Sequence, residues 1–155
     1  MSKPFHIVLI EPEIPPNTGN IARLCGATNT VLHLVGELGF SLDDRYLKRA
    51  GLDYWEVIDV RRWPSLEALQ QEHPAARYWY TSKKAQRSYS GVDYQPGDFL
   101  VFGKETKGLP EELLCAEADH TIRIPIFNDR VRSLNLSTAA GIVLYEALRQ
   151  TGRLT

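Results

Sequence analysis

The sequence has few cysteines, no long apolar run and almost no net charge, and each absence excludes a class of protein. Only Cys25 and Cys115 occur among 155 residues, too few for a disulfide framework, so we expect a reduced, cytoplasmic setting. No apolar stretch approaches the ~20 residues of a membrane-spanning helix. Since 18 Lys and Arg oppose 19 Asp and Glu, the net charge is −1. This balance argues against a generic nucleic-acid coat but is compatible with RNA binding through a local patch.

Several cofactor and catalytic motifs are also missing from the sequence. There is no G-x-G-x-x-G fingerprint, which disfavours an ordinary dinucleotide site, and no G-x-S-x-G element of a serine hydrolase. The four histidines lack metal-ligand spacing, so we expect no metal site. His6 and His33 fall inside predicted strands, where we expect hydrogen-bonded core side chains.

The chain instead alternates short apolar runs with polar helical stretches, without repeats or linkers, and its length suits one domain spanning residues 1–155. The apolar runs predict strands at Phe5–Ile10, Val31–Val35, Trp55–Val60, Ala76–Thr81, Asp98–Phe102 and Thr121–Pro125. Helices are predicted at Asn17–Thr28, Asp43–Ala50, Pro64–Glu72, Pro110–Ala116 and about Asn135–Gln150. This alternation predicts an α/β fold with a mainly parallel sheet flanked by helices. The last helix carries small side chains that suit packing either on its own sheet or against a second copy.

The loop after the first strand, Glu11–Arg23, is the first candidate site, because α/β sheets bind ligands at the carboxyl ends of their strands. Asn17 and Thr18 are predicted to cap the following helix. Gly19 permits close backbone approach, and Arg23 could reach an anion. The alternative is a stiff, proline-rich connector with a capped helix.

The loop Phe102–Pro110 is the second candidate. Its two glycines, Gly103 and Gly108, bracket Glu105 and suggest a tight turn that a ligand approaches closely. The Lys-Ser/Thr pair of a phosphate loop is missing, so a nucleoside triphosphatase is disfavoured. Two ordinary turns would explain the same pattern.

The third candidate loop, Ile124–Thr138, carries Arg130 and Arg132 and leads into Ser133 and Asn135 at a predicted helix start. Backbone amides at such a start could hold a polar ligand, although a plain capped helix explains them equally well.

Basic residues cluster locally despite the balanced total. Lys83, Lys84 and Arg87 precede Tyr89 and Tyr94, aromatic residues that could stack on an unpaired RNA base. A solvated surface is the alternative for each cluster. Together with the three loops, the clusters make an RNA substrate reasonable.

Taken together, the three loops resemble the three signature motifs of the SPOUT superfamily of RNA methyltransferases. The patterns are N-x-G-x-x-x-R at Asn17–Arg23, F-G-x-E-x-x-G-L at Phe102–Leu109, and I-P followed by S-L-N-L-S-T-A at Ile124–Ala139. The resemblance covers nearly the whole chain. It is closest to the small tRNA (cytidine/uridine) 2′-O-methyltransferases, which modify the ribose at the anticodon wobble position.

This resemblance implies a C-terminal deep trefoil knot, a homodimer, S-adenosylmethionine as cofactor and tRNA as substrate. It assigns cofactor binding to Thr81, Gly103, Ile124 and Ser133, and substrate binding to Asn17 and Asn135. The alternatives are 2′-O-methylation of another RNA, such as ribosomal RNA, and a non-catalytic RNA-binding protein that keeps the knot.

The resemblance also gives catalytic roles to Arg23 and Tyr145. A guanidinium keeps its proton at neutral pH, so we expect Arg23 to hold the target phosphate and ribose and to stabilise the developing alkoxide. For Tyr145, packing at a dimer interface is an equal alternative.

Overall fold

A computed structural model describes residues 4–51 and 56–155 of the protein. The described strands are β1 (His6–Ile10), β2 (Val31–Val35), β3 (Val60–Trp63), β4 (Tyr78–Thr81), β5 (Arg87–Ser88), β6 (Phe99–Phe102) and β7 (Thr121–Arg123). The described helices are α1 (Pro15–Thr28), α2 (Arg45–Gly51), α3 (Leu66–Glu72), α4 (Glu111–Ala116) and α5 (Leu136–Gln150). None of these helices is long and apolar enough to cross a bilayer.

The strands form one seven-stranded sheet in the order β3-β2-β1-β6-β4-β7-β5, and each neighbouring pair runs parallel. The central strand β1 pairs with β2 on one side and β6 on the other, so that His6 aligns with both Val31 and Phe99. Because all strands point the same way, the loops after β1, β4, β6 and β7 meet at the carboxyl end of the sheet.

Both faces of the sheet are buried, which explains the continuously apolar strands. In β1, Ile7 and Leu9 pack into the larger core cluster, which includes residues of α1 and α5. Val8 points the other way, into a smaller cluster with Leu69 of α3. Helix α1 also packs against α2 and α5. The predicted parallel α/β architecture is therefore confirmed.

The edges of the sheet differ from the sequence-based prediction. The strand predicted at Trp55–Val60 is wrong: β3 starts at Val60, residues 56–57 form a 3₁₀ turn, and Trp55 lies outside the described residues. This edge strand exposes Arg61 and Arg62 and so lacks the continuous apolar run that marks a central strand. The two-residue strand β5 is polar and half exposed, and it was not predicted.

Of the two histidines predicted to lie in the core, His33 does so and His6 is half-buried. His33 is fully buried, accepts a hydrogen bond at Nδ1 from the Trp63 indole (3.0 Å), and lies 2.9 Å through Nε2 from Nδ1 of His6. Burial, reinforced by nearby cationic groups, lowers the pKa of His33 to about 3. His33 is therefore neutral at physiological pH.

Candidate functional site

An open cleft lies at the carboxyl ends of the strands β1, β4, β6 and β7. Its volume of about 700 Å³ is within the range of small-molecule sites. Six predicted site residues from the three motifs and the β4 end line it together: Asn17, Thr81, Gly103, Ile124, Ser133 and Asn135. Residues up to 118 positions apart in the chain thus meet in one cavity.

Glu105 connects the second motif to the first. Its carboxylate accepts hydrogen bonds from the backbone N–H groups of Glu13 (2.8 Å) and Ile14 (2.9 Å) and from Nδ2 of Asn17 (3.2 Å). The prediction that Asn17 and Thr18 cap α1 is wrong, because the helix begins at Pro15 and both residues are buried within it. Prolines suit the first helical positions, and a distant carboxylate supplies the negative charge that stabilises this helix start.

Asn135 connects the third motif to the first. Its Nδ2 donates to Oδ1 of Asn17 (3.0 Å), while its own Oδ1 accepts from the backbone N–H groups of Ser137 (2.9 Å) and Thr138 (3.3 Å) and caps α5. Both ends of both amides are therefore hydrogen-bonded. The hydrogen-bonded series Glu105–Asn17–Asn135, which we call the motif junction, fixes the three loops relative to one another.

The second motif folds back on itself as a tight turn, as its glycines predict. Gly108 has a φ of +69°, and its N–H donates to the carbonyl of Lys104 (2.9 Å). A Cβ atom at Gly103 would lie only 2.1 Å from the carbonyl carbon of Gly108 and 2.3 Å from the nitrogen of Leu109. No side chain fits at position 103 in this conformation.

A second contact holds the first two loops together. The Glu13 carboxylate accepts hydrogen bonds from the Thr106 hydroxyl (2.8 Å) and backbone N–H (3.1 Å), which lowers the pKa of Glu13. Lys104 forms an ion pair with Glu11 (3.3 Å). Contacts on both sides of the turn therefore define the cleft wall.

The cleft combines apolar walls with a cationic rim. The apolar side chains are Ile14, Phe102, Leu109, Leu114, Ile124, Ile126, Leu134, Leu136 and Ala139, and the cations are Lys83, Lys84, Lys104, Lys107 and Arg132. Lys84 pairs with Glu111 (2.8 Å), and the Thr81 hydroxyl donates to the carbonyl of Val101 (3.0 Å). Such a site suits a ligand with a flat apolar part and anionic groups nearby.

Arg23 and Tyr145 do not line this cleft. Arg23 is exposed on α1 and Tyr145 is 45% exposed on α5, and these two helices pack against each other. The structure therefore does not bring the two predicted catalytic residues into the same cavity as the other six.

The aromatic residues near the cleft also differ from expectation. Tyr94 is only 4% exposed and its hydroxyl donates to the carbonyl of Tyr89, so the prediction that it stacks on RNA is wrong. Tyr89 is itself half-buried against the core. Phe127, in contrast, is 97% exposed in the third motif. Sequence reasoning missed Phe127 as an exposed aromatic residue. Its position within the polar stretch FNDRVR could have indicated that it is exposed.

Comparison with known proteins agrees with this architecture. The model of a family described as the SpoU rRNA methylase family matches residues 4–145. The tRNA (cytidine(34)-2′-O)-methyltransferase of Escherichia coli (strain K12) is 49% identical over 149 residues, which cover 96% of this chain and 94% of the relative.

Solved structures give the same result. One described as "Structural insights into the 2-OH methylation of C/U34 on tRNA" has a TM-score of 0.90 at 46% identity and covers 96% of this chain and 97% of its own. An AdoMet-bound rRNA methyltransferase from Sinorhizobium meliloti has a TM-score of 0.84 at 30% identity, and the match covers 96% of this chain and 58% of that one.

Proposed function

The chain belongs to the SpoU methylase family, and we propose that it methylates the ribose 2′-hydroxyl of nucleotide 34, the wobble position, of a tRNA. The methyl donor is S-adenosylmethionine and the nucleotide is a cytidine or a uridine. The observation that carries this proposal is the cleft, where three family motifs meet through the motif junction. The 49% identity to a tRNA methyltransferase, which extends over 96% of this chain, favours tRNA over ribosomal RNA.

The residues of the cleft fit S-adenosylmethionine. The volume matches a ligand of this size, the apolar walls suit its adenine ring, and the Gly103 position leaves backbone atoms at the surface. Thr81, Gly103, Ile124 and Ser133 would hold it. When bound, it supplies a methyl group activated by a positively charged sulfur. The protein's main task is then to align the ribose hydroxyl and provide a route for its proton.

Arg23 is proposed as the residue that holds the target phosphate and ribose. A guanidinium donates several hydrogen bonds in a fixed plane and stays protonated, so it stabilises a developing alkoxide rather than accepting its proton. Asn17 and Asn135 are proposed to act on the substrate by fixing the loops that surround it, since both their amides are already bonded within the motif junction.

We infer that the enzyme works as a homodimer. Arg23 and Tyr145 lie on exposed surfaces of α1 and α5, outside the cleft of their own subunit. A second copy docked on these helices could bring both residues to the partner's cleft. In that arrangement Tyr145 lies near the reacting groups or packs the interface.

The family resemblance further supports a single domain over residues 1–155 that acts in the cytoplasm, with its C-terminal segment threaded as a deep trefoil knot. The sheet order is compatible with such threading, because β4 lies between β6 and β7, while α5 packs against α1 and β6. A knot of this kind is a rare exception to ordinary chain connectivity.

Methyl transfer from labelled S-adenosylmethionine to total tRNA, followed by nucleoside analysis, tests the proposal. We expect label in 2′-O-methylated cytidine or uridine, lost with Arg23→Ala and mostly lost with Arg23→Lys, which keeps the charge but not the planar fork. Near-normal turnover of Arg23→Lys would contradict the role of the fork. Label only in ribosomal RNA, or cofactor binding without transfer, would contradict the proposed function.

A further inference from the structure

We propose that Phe127 is a stacking platform for an unpaired base of the tRNA anticodon loop, belonging to a nucleotide next to the methylated one. The inference rests on the proposed function and adds a residue that determines how the RNA is held.

The exposure of Phe127 is the first observation. Its side chain is 97% exposed, more than any other large apolar residue of the described chain, and Val131 in the same loop is 47% exposed. The loop has a defined shape, because Asn128 accepts hydrogen bonds from the backbone N–H groups of Val131 (3.1 Å) and Arg130 (2.9 Å).

The position of the loop is the second observation. A smaller cavity of about 330 Å³, lined by Asn128, Asp129 and Val131 among others, lies beside the main cleft. The two cavities share four lining residues, Lys83, Ile124, Ile126 and Arg132. An RNA strand whose ribose enters the main cleft would therefore have one of the two neighbouring nucleotides over this smaller cavity and the Phe127 loop.

The charge around Phe127 is the third observation. Within residues 4–51 and 56–155, the side chains of Lys83, Arg130 and Arg132 form no hydrogen bond or ion pair. The nearby Arg123 is held by the carbonyls of Ala85 (3.1 Å) and Gln86 (2.8 Å). Lys83 and Arg132 line the smaller cavity together with one carboxylate, that of Asp129, and Arg130 belongs to the same loop as Phe127. Three unpaired cations against one carboxylate, beside an exposed ring, match a polyanion that also carries flat bases, which is single-stranded RNA.

The experiment uses the full chain and a full-length tRNA carrying 2-aminopurine on one or the other side of nucleotide 34. We expect the wild-type protein to quench the fluorescence of one of these probes, as stacking does, and Phe127→Ala to abolish the quenching. The KM for tRNA should rise about tenfold or more in Phe127→Ala, while the KM for S-adenosylmethionine stays unchanged.

Two further variants sharpen this test. Phe127→Trp should retain the quenching and a near-normal KM for tRNA, because any large ring can stack. Val57→Ala removes another exposed apolar side chain, 70% exposed and outside both cavities, and should behave as wild type.

An unchanged KM for tRNA in Phe127→Ala, with wild-type methylation intact, overturns this inference alone. Dissociation of the dimer by Phe127→Ala in sedimentation, in place of weaker RNA stacking, also overturns it and assigns the ring to a second copy of the chain. A wild-type protein that methylates no tRNA overturns the proposed function itself.

Discussion

Two regions of the molecule join polar side chains in series of hydrogen bonds, and they differ in what surrounds them. The motif junction of Glu105, Asn17 and Asn135 lies beside an open cleft of about 700 Å³. The other region, His33 with His6 and Trp63, is closed in by rings, among them Phe99, which stacks on His6 with a centroid distance of 4.1 Å.

The difference lies in what each region holds in place. The motif junction joins loops that are 88 and 118 residues apart, and it is the hydrogen-bonded series that links all three of them. The histidine cluster joins side chains of strands that backbone hydrogen bonds already align. We therefore expect changes at the cleft to affect methyl transfer and changes at the cluster to affect stability alone.

The largest effect on methyl transfer is expected from Gly103→Ala. The new Cβ would meet backbone atoms at 2.1 and 2.3 Å, so the turn of the second motif must move and the cleft wall with it. We expect loss of S-adenosylmethionine binding in calorimetric titration and a cost to folding of about 1–3 kcal/mol or more. Gly91→Ala is the matched control, because its Cβ would make only an ordinary contact at 3.5 Å. Equal cofactor binding by the two variants would contradict the prediction.

A smaller effect on methyl transfer is expected from Glu105→Gln. The amide keeps the shape but presents N–H groups to donors, so at least one of the three hydrogen bonds to Glu13, Ile14 and Asn17 is lost. We expect about tenfold slower methyl transfer and a free energy of unfolding lower by about 1–3 kcal/mol. The control is Glu112→Gln, a change at an exposed residue of α4 that does not line the cleft. If both variants match the wild type, Glu105 does not fix the loops.

The central strands and the three loops were predictable from sequence because their signals are local. The runs at Val31–Val35 and Phe99–Phe102 are continuously apolar, since both faces of the sheet are covered. The tight turn around Glu105 follows from its two glycines. Five of the six predicted strands contain all or nearly all of an observed strand for this reason, whereas the sixth shares only Val60 with β3.

What the sequence did not predict depends on partners that are distant in the chain. The start of α1 is stabilised by Glu105, which is about 90 residues away, and no local pattern announces this contact. The edge strands β3 and β5 carry exposed polar residues and are held by pairing on one side only. Tyr94 was predicted to contact RNA and Phe127 was not, and only the packing shows that Tyr94 is buried and Phe127 exposed.

The histidine cluster should leave methyl transfer by the folded protein unchanged but make stability depend on pH. The pKa of His33 is about 3 in the folded state because burial disfavours its charged form, whereas an unfolded histidine titrates near 6.5. As pH falls below 6.5, the unfolded state takes up a proton that folded His33 does not. The contribution of neutral His33 to the free energy of unfolding is therefore fully present above pH 6.5 and is lost as the pH is lowered towards 3. We expect the free energy of unfolding to fall by about 2 kcal/mol between pH 7 and pH 5 through this side chain.

Urea unfolding at pH 5, 6 and 7 measures this dependence, and two variants assign it. His33→Phe cannot titrate, so its stability should change less with pH than that of the wild type, although it starts from a lower value because Trp63 and His6 lose their partner. His120→Gln is the control for removing one half-buried histidine outside the cluster. His6 and His73 also face His33, so the difference between wild type and His33→Phe, rather than the total slope, reports on this one side chain. If the free energy of unfolding changes equally with pH in the wild type and in His33→Phe, the pH dependence does not come from His33. The histidine cluster would then differ from the motif junction only in being closed to solvent.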